Sequence, residues 1–105
     1  MNEIDALQLK ARLDAGEKFL LIDVREPDEW AIGHIESAVL APLATVPDRC
    51  GEWEEDAEIV LMCRGGKRSA DALAFLAQRG FTNLTNLRGG ILGWSDQVDP
   101  SIPKY

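Results

Sequence analysis

The sequence predicts an α/β fold in which a small parallel β-sheet carries helices on both faces. Two short runs, 19–22 and 59–62, are apolar throughout, as strands buried on both faces of a sheet tend to be. Helical patterns separate these runs and two weaker strand candidates along the chain. Strands that alternate with helices favour a parallel sheet with crossover helices, although the residues alone do not determine the strand order.

The chain length of 105 residues is that of one domain with one modest core. No apolar run approaches the roughly 20 residues that a transmembrane helix needs, and the acidic N-terminus lacks the features of a signal peptide. The two cysteines form neither a disulfide framework nor a zinc-binding pattern, which fits a reducing compartment. We therefore expect a single domain over residues 1–105, a cytoplasmic location and no membrane partner.

The net charge of −7 argues against nucleic acid as a partner. The charge is unevenly distributed, because residues 1–58 carry 15 acidic and 5 basic side chains whereas residues 59–105 carry 3 acidic and 6 basic ones. Positive potential is therefore local to the second half of the chain. A solvated face explains the acidic excess of the first half, and a docking surface for a basic partner is the alternative.

The first helix is predicted to begin after Asp5, which can form a capping box with Gln8, and to end at Gly16. The apolar strand over 19–22 follows this helix. It brings Asp23 to its carboxyl end, with Arg25 two residues further on. Open α/β sheets bind ligands at that edge.

The next elements are shorter and less regular. Pro27 is placed to begin a short helix with acidic residues in its first turn, and Gly33 to end it. A third strand is expected over 38–40, and a weak helix from Pro47 to Trp53.

After the strand over 59–62, residues 69–79 have a strongly helical pattern. Gly80 and Phe81 fit a Schellman ending for this helix. A weaker strand over 83–87 follows, and close glycines then lead into a helical turn that bears Trp94. We expect the tail over 98–105 to be extended, because its prolines disfavour helix before them.

The strand over 59–62 ends at Cys63 and enters a loop with two glycines and three cations. Gly65 and Gly66 can take a positive φ without steric cost, so the N–H groups of the loop can converge on one point. Such a nest of amides at the start of a helix binds anions. Cys63 would lie at its floor, where dipoles and cations favour the nucleophilic thiolate. The alternative is a buried cysteine beside a solvated basic loop.

The active-site loop of rhodanese-family sulfurtransferases resembles this part of the chain, Cys63-Arg64-Gly65-Gly66-Lys67-Arg68-Ser69. Two other blocks also resemble the family in order and spacing. The first comprises residues 21–25, 29–30 and 33–35, and the second comprises residues 87–94. The resemblance covers nearly the whole chain and implies a single rhodanese domain.

The resemblance implies an enzyme that moves sulfane sulfur. Cys63 would attack an anionic donor such as thiosulfate, form a persulfide and release sulfite. Cyanide in vitro, or a thiol or protein in the cell, would then accept the outer sulfur. The amides of residues 64–68 would hold that sulfur. No metal or organic cofactor is implied.

The charged residues around the loop receive separate roles from the same resemblance. Arg64 and Lys67 would attract the donor, while Arg68 would brace the loop or add to its positive field. The remaining candidates are expected to support the loop rather than react, and they are Asp23, Arg25 and Ser69.

Two alternative functions remain open. Phosphatases and arsenate reductases of the same fold use Cys-x5-Arg, whereas Cys63 and Arg68 are spaced as Cys-x4-Arg, which disfavours that activity. The tail over 98–105 resembles those of rhodanese domains fused behind adenylyltransferases. That similarity implies a module that donates sulfur to a carrier protein in molybdopterin or thiamine synthesis.

Two further side chains have a structural and a functional interpretation. His34 could act as a general base, but a thiolate that is already formed needs none. It follows Gly33 in what resembles a structural turn of the family, so a structural role is expected. Cys50 stands where the family usually has an apolar residue, so a core thiol is expected. A resolving partner for Cys63 is the alternative.

Overall fold

Five parallel strands form the centre of the molecule in a computed structural model that describes residues 1–105. The strands run in the order β1-β5-β4-β2-β3 across the sheet. Their bounds are β1 Glu3–Ile4, β2 Leu20–Asp23, β3 Val39–Leu40, β4 Ile59–Met62 and β5 Leu84–Leu87. The prediction of an α/β fold with a small parallel sheet is confirmed.

The sheet separates two apolar cores, because alternate residues of each strand point to opposite faces. In β4, Ile59 and Leu61 belong to one core, and Val60 and Met62 belong to the other. All four of these residues are buried, as the unbroken apolar run predicts.

Helices cover both faces of the sheet. Their bounds are α1 Ala6–Asp14, α2 Pro27–Ile32, α3 Val46–Arg49, α4 Lys67–Gln78 and α5 Gly90–Gln97. Buried apolar side chains of α1 and α5 pack in one core, and those of α3 and α4 pack in the other. None of these helices has both the length and the apolar character that crossing a membrane requires.

Several helix ends form as their sequence signals predict. Asp5 and Gln8 form a reciprocal capping box, in which each backbone N–H donates to the other's side chain at 2.8 Å. At the end of α4, Gly80 adopts a φ of +94° and the Phe81 N–H donates to the Leu76 carbonyl at 3.1 Å. This is the predicted Schellman geometry.

Three local expectations were incomplete or wrong. The strand β1 was not predicted, because two residues are too few to show a periodic pattern. The weak helix expected over 47–53 is instead the short helix α3 with a turn of 3-10 helix on each side. The tail is not fully extended, because the Ile102 N–H donates to the Asp99 carbonyl at 3.1 Å and closes a turn around Pro100.

Candidate active site

The candidate active site lies at the carboxyl edge of the sheet, where β4 ends and α4 begins. Cys63 directly follows β4 and its residue is 1% exposed. A cavity of about 330 Å³ opens over it, lined by Cys63, Arg64, Gly65, Lys67 and Arg68. All five of these lining residues were singled out from the sequence.

Two donors point at the Cys63 sulfur. The Gly66 N–H donates to Sγ at 3.0 Å and the Ser69 hydroxyl donates to Sγ at 3.3 Å. Hydrogen bonds to an anionic acceptor are stronger than those to a neutral one, so both donors are placed to stabilise negative charge that develops on the sulfur during a reaction. Ser69 itself is fully buried, which keeps its hydroxyl oriented toward the sulfur.

Of the two loop glycines, only Gly66 adopts a positive φ, at +112°. This conformation places Gly66 at the N-cap of α4 and is compatible with its N–H donating to the sulfur. A Cβ atom at Gly65 would meet nothing within 4 Å. The loop therefore needs the conformational freedom of glycine at position 66.

The helix α4 starts at Lys67, two residues before the position that the sequence predicts. Cations in a first helical turn are unfavourable next to the positive end of the helix dipole. In the structure, Arg68 is neutralised by an ion pair with Glu29. The sulfur consequently lies within one turn of the start of α4.

The start of α5 holds the active-site loop from the other side. The Ile91 N–H donates to the Cys63 carbonyl at 2.9 Å, and the Leu92 N–H donates to the Arg64 carbonyl at 3.2 Å. Gly90 has a φ of +56°, and a Cβ atom there would lie 2.4 Å from both carbonyl oxygens. The tight backbone approach expected of the glycine pair is thus made against the loop that carries the nucleophile.

Asn86 is a further contact of the loop that the sequence analysis missed. It lies in β5 and is 2% exposed, and its side-chain Nδ2 donates to the Gly66 carbonyl at 3.0 Å. Its Oδ1 atom is buried without a hydrogen-bond partner. An asparagine in an apolar strand was the available signal, since a buried amide requires partners.

The three loop cations have different environments. Arg68 donates two hydrogen bonds to the carboxylate of Glu29, at 2.7 and 2.9 Å. The hydrogen bonds from Arg68 lower the pKa of Glu29 to about 2. Burial opposes this shift, and the hydrogen bond from Tyr105 adds to it. The same pair raises the pKa of Arg68, and the charge of Cys63 adds to that shift.

Arg64 is held by the tail, whereas Lys67 is unengaged. The Arg64 Nε donates to the backbone oxygen of Tyr105 at 2.6 Å, Nη2 donates to the same atom, and the guanidinium lies 5.2 Å above the tyrosine ring. The ammonium of Lys67 makes no hydrogen bond or ion pair within the chain, so it is free to meet an anion in the cavity.

Asp23 and Arg25 form a fully buried ion pair behind the site, with 2.7 Å between Arg25 Nη2 and Asp23 Oδ2. Burial opposes the charge of Arg25, but hydrogen bonds to Asp23 and Tyr105 raise its pKa. Arg25 also donates to the carbonyls of Glu29 and Gly33, at 3.2 and 2.9 Å. The pair therefore fixes α2 and the tail, and reaches the loop only through Tyr105 and Glu29.

His34 and Cys50 lie apart from the loop. The His34 ring stacks on Trp30 at 3.7 Å, and its Nδ1 is 2.9 Å from the Trp30 carbonyl oxygen, which fits a structural role. Cys50 packs in the core as a free thiol that donates to the Pro47 carbonyl at 3.4 Å. No group of three or more His, Cys, Asp and Glu side chains has an arrangement that could hold a metal ion.

A larger cavity, of about 670 Å³, lies near the amino-terminal edge of the sheet. Cys50, Trp53, Phe81, Arg79 and acidic residues of the loop before β4 line it. The small cavity over Cys63 has the hydrogen-bonded nucleophile and the cations, so it is the better candidate for chemistry.

Comparison with known proteins supports this choice. A family model described as "Rhodanese-like domain" matches residues 5–97. A sulfurtransferase of Allochromatium vinosum is 43% identical over 97% of this chain and 95% of its own length. The "Probable adenylyltransferase/sulfurtransferase MoeZ" of Mycobacterium tuberculosis is 41% identical over 99% of this chain, which spans 27% of its length. The crystal structure of a rhodanese-like domain protein from Staphylococcus aureus superposes with a TM-score of 0.86 at 32% identity, covering 93% of this chain and 95% of that one.

Proposed function

Because the chain belongs to the rhodanese family and resembles sulfurtransferases, we propose that residues 1–105 form one domain that transfers sulfane sulfur through a persulfide on Cys63. The observation that carries the proposal is the pair of donors on the sulfur, Gly66 N–H at 3.0 Å and Ser69 hydroxyl at 3.3 Å. These donors can hydrogen-bond an anionic sulfur, and a sulfur anion is both the attacking form in sulfur exchange and the group released when the persulfide is consumed.

The proposed reaction has two displacement steps. The Cys63 thiolate attacks the sulfane sulfur of thiosulfate, a new S–S bond forms, and the old S–S bond breaks with its electron pair leaving on sulfite. A nucleophilic acceptor then attacks the outer sulfur of the persulfide. Cyanide would leave as thiocyanate, and the Cys63 thiolate would be restored. Such a sequence produces ping-pong kinetics and requires no metal or organic cofactor.

The charges around the cavity support an anionic donor. Lys67 lines the cavity with an unengaged ammonium, and Arg64 lies at the same cavity. Arg68 contributes positive field from a position fixed by Glu29. Charge-assisted contacts from Lys67, in the positive field of the two arginines, would hold the sulfonate end of thiosulfate and stabilise sulfite as it leaves.

A protein acceptor is a second proposal, favoured by one specific similarity. MoeZ is described as an adenylyltransferase as well as a sulfurtransferase, and its matching segment corresponds to nearly all of this chain. We propose that Cys63 can pass sulfur to the adenylated C-terminus of a small carrier protein. Transfer of labelled sulfur to such a carrier tests this. Failure of that transfer while thiosulfate–cyanide exchange proceeds would reject the carrier and keep the sulfurtransferase.

The main test is an intact mass measurement after incubation with thiosulfate. We expect the mass of one sulfur atom to be added to the wild type and to Cys50→Ser, and nothing to be added to Cys63→Ser. An adduct that persists in Cys63→Ser would move the chemistry to Cys50. Turnover of a phosphate ester without any turnover of thiosulfate would instead favour the phosphatase alternative.

A further inference from the structure

Tyr105 contacts three charged side chains around the candidate active site. Its hydroxyl donates to Glu29 Oε2 at 2.6 Å and accepts from Arg25 Nη1 at 3.1 Å. Its backbone oxygen accepts from Arg64 Nε at 2.6 Å and also from Nη2, and its ring lies under the same guanidinium. Burial raises the pKa of Tyr105, and the Glu29 carboxylate adds to this shift while the hydrogen bond from Arg25 opposes it, so the hydroxyl remains a donor at neutral pH.

The tail is anchored close to this residue. Ile102 is 7% exposed in the core, and its carbonyl accepts from the Ser95 hydroxyl at 2.6 Å. Asp99 closes the preceding turn through its carbonyl and through its side chain, which accepts from the Ser101 N–H at 3.1 Å and the Ser101 hydroxyl at 2.6 Å. Only two residues separate the buried Ile102 from Tyr105, so the tail has little freedom at the point where it meets the loop.

The contacts of Tyr105 occupy one of the two donor edges that Arg64 can offer an oxyanion. Nε and Nη2 of Arg64 form one side of the guanidinium fork, and both donate to the Tyr105 backbone oxygen. This edge cannot then make the paired, bidentate bonds that carboxylates and similar anions prefer, so only the Nη1–Nη2 edge remains for an anion. Arg68 is engaged as well, through the Glu29 carboxylate that the Tyr105 hydroxyl binds.

We propose that Tyr105 is a specificity-determining residue that keeps the Nε–Nη2 edge of the Arg64 fork engaged and so limits the preference of the site for anionic reagents. Lys67 is then the loop cation whose donors are all available to an anion in the cavity. This inference deepens the proposed function, because the anion in question would be the sulfur donor. Its test can nevertheless be made on the thiol alone, without any sulfur transfer.

The test compares alkylation of Cys63 by iodoacetate and by iodoacetamide, which differ in charge but share the leaving group. All variants carry Cys50→Ser, so that only one thiol reacts. Tyr105→Ala keeps the backbone oxygen but loses the ring and the hydroxyl bonds that hold this oxygen against Arg64. The variant should therefore raise the ratio of the iodoacetate to the iodoacetamide rate constant by about two- to fivefold, the range expected of one exposed charge pair. Tyr105→Phe, which keeps the ring and loses the hydroxyl anchors, should raise it by a smaller factor.

Two controls assign the effect to Arg64. Adding Tyr105→Ala to Arg64→Ala should leave the ratio of the Arg64→Ala variant unchanged, since no fork is left to release. Lys104→Ala should match the wild type, because Lys104 lies beside Tyr105 but pairs only with Asp96 on the surface. A purely structural role of the tail would alter both rate constants together and leave their ratio constant.

The inference is overturned by an unchanged or lowered ratio in a folded Tyr105→Ala, or by a rise that persists without Arg64. Should Tyr105→Ala fail to fold by circular dichroism, an unchanged ratio in Tyr105→Phe overturns it equally. In steady-state assays, Tyr105→Ala should lower KM for thiosulfate by a similar factor with little change in kcat. If no persulfide forms on Cys63, the proposed function fails, while the alkylation ratio still decides the role of Tyr105.

Discussion

Replacing Gly90 by alanine tests whether the start of α5 positions the nucleophile. The added Cβ atom would lie 2.4 Å from the carbonyl oxygens of both Cys63 and Arg64, far inside van der Waals contact. Both obstacles are backbone atoms that are hydrogen-bonded to α5, so neither can rotate away as a side chain would. The loop must therefore shift away from α5 or the helix must shift away from the loop.

Two costs contribute to the magnitude. Alanine at the Gly90 φ of +56° costs about 1–2 kcal/mol in the left-handed region. Forcing an extra methyl group into a packed site costs about 1–3 kcal/mol more. A total of about 2–5 kcal/mol is a large part of the ~5–15 kcal/mol that stabilises a domain of ordinary size. Urea unfolding should therefore show a midpoint lowered by about 1 M or more.

Gly93→Ala is the matched control. Gly93 lies one helical turn further along α5, and a Cβ atom there would meet only the Arg88 carbonyl oxygen, at an ordinary 3.9 Å. Alanine is favoured over glycine inside a helix by about 1 kcal/mol, so this variant should be neutral or slightly stabilised. Its rate of persulfide formation should match the wild type.

The second measurement in the Gly90 experiment is persulfide formation by mass spectrometry under conditions where the variant remains folded. We expect it to be slower in Gly90→Ala, because the Cys63–Arg64 backbone has moved relative to the donors on the sulfur. Equal urea midpoints and equal rates for Gly90→Ala and Gly93→Ala would refute the reasoning, since the two variants differ chiefly in the contact with the loop.

Two other predictions concern the supports of the loop. Asn86→Ala removes the 3.0 Å bond to the Gly66 carbonyl, and a hydrogen bond is worth about 1 kcal/mol, so persulfide formation should slow by about fivefold. The neighbouring Thr85→Ala is its control, and equal rates for the two would contradict the assignment. Glu29 has a pKa lowered to about 2, so its ion pair with Arg68 stabilises the fold above the unfolded pKa of about 4.3, and this contribution is lost as pH falls toward 2. Urea midpoints should therefore fall less between pH 5 and 2 in Glu29→Gln than in the wild type, and parallel curves would reject the pair as a source of acid sensitivity.

The features that the sequence predicted well depend on neighbouring residues along the chain. The capping box of Asp5 and Gln8 needs only a spacing of three residues, and the Schellman ending at Gly80 needs only its own turn. The nucleophile was identified in the same way, because Cys63, its glycines and the following helix are contiguous. At each of these positions, residues within a few places along the chain determine the local structure.

The features that the sequence did not predict depend on strand order. Asn86 reaches Gly66 because β5 lies next to β4, with Leu61 opposite Asn86 in the register. No periodic pattern contains that information, since any parallel order of these strands would bury the same apolar residues. The same limit applies to Tyr105, which is 80 residues from Arg25 along the chain and yet accepts its hydrogen bond.

The contacts around the loop explain why its interior can serve an anion. A loop of this kind has as many backbone carbonyls as N–H groups, and inward carbonyls would repel a thiolate or a persulfide. Here the carbonyls of Cys63 and Arg64 accept from α5, and that of Gly66 accepts from Asn86 and from the Ala70 N–H at 3.2 Å. Three acceptors are thus satisfied by the surrounding fold, while the Gly66 N–H remains directed at the sulfur. The acceptors of the loop are therefore satisfied by β5 and α5, and the Gly90 and Asn86 variants disturb these external contacts from the α5 side and the β5 side respectively.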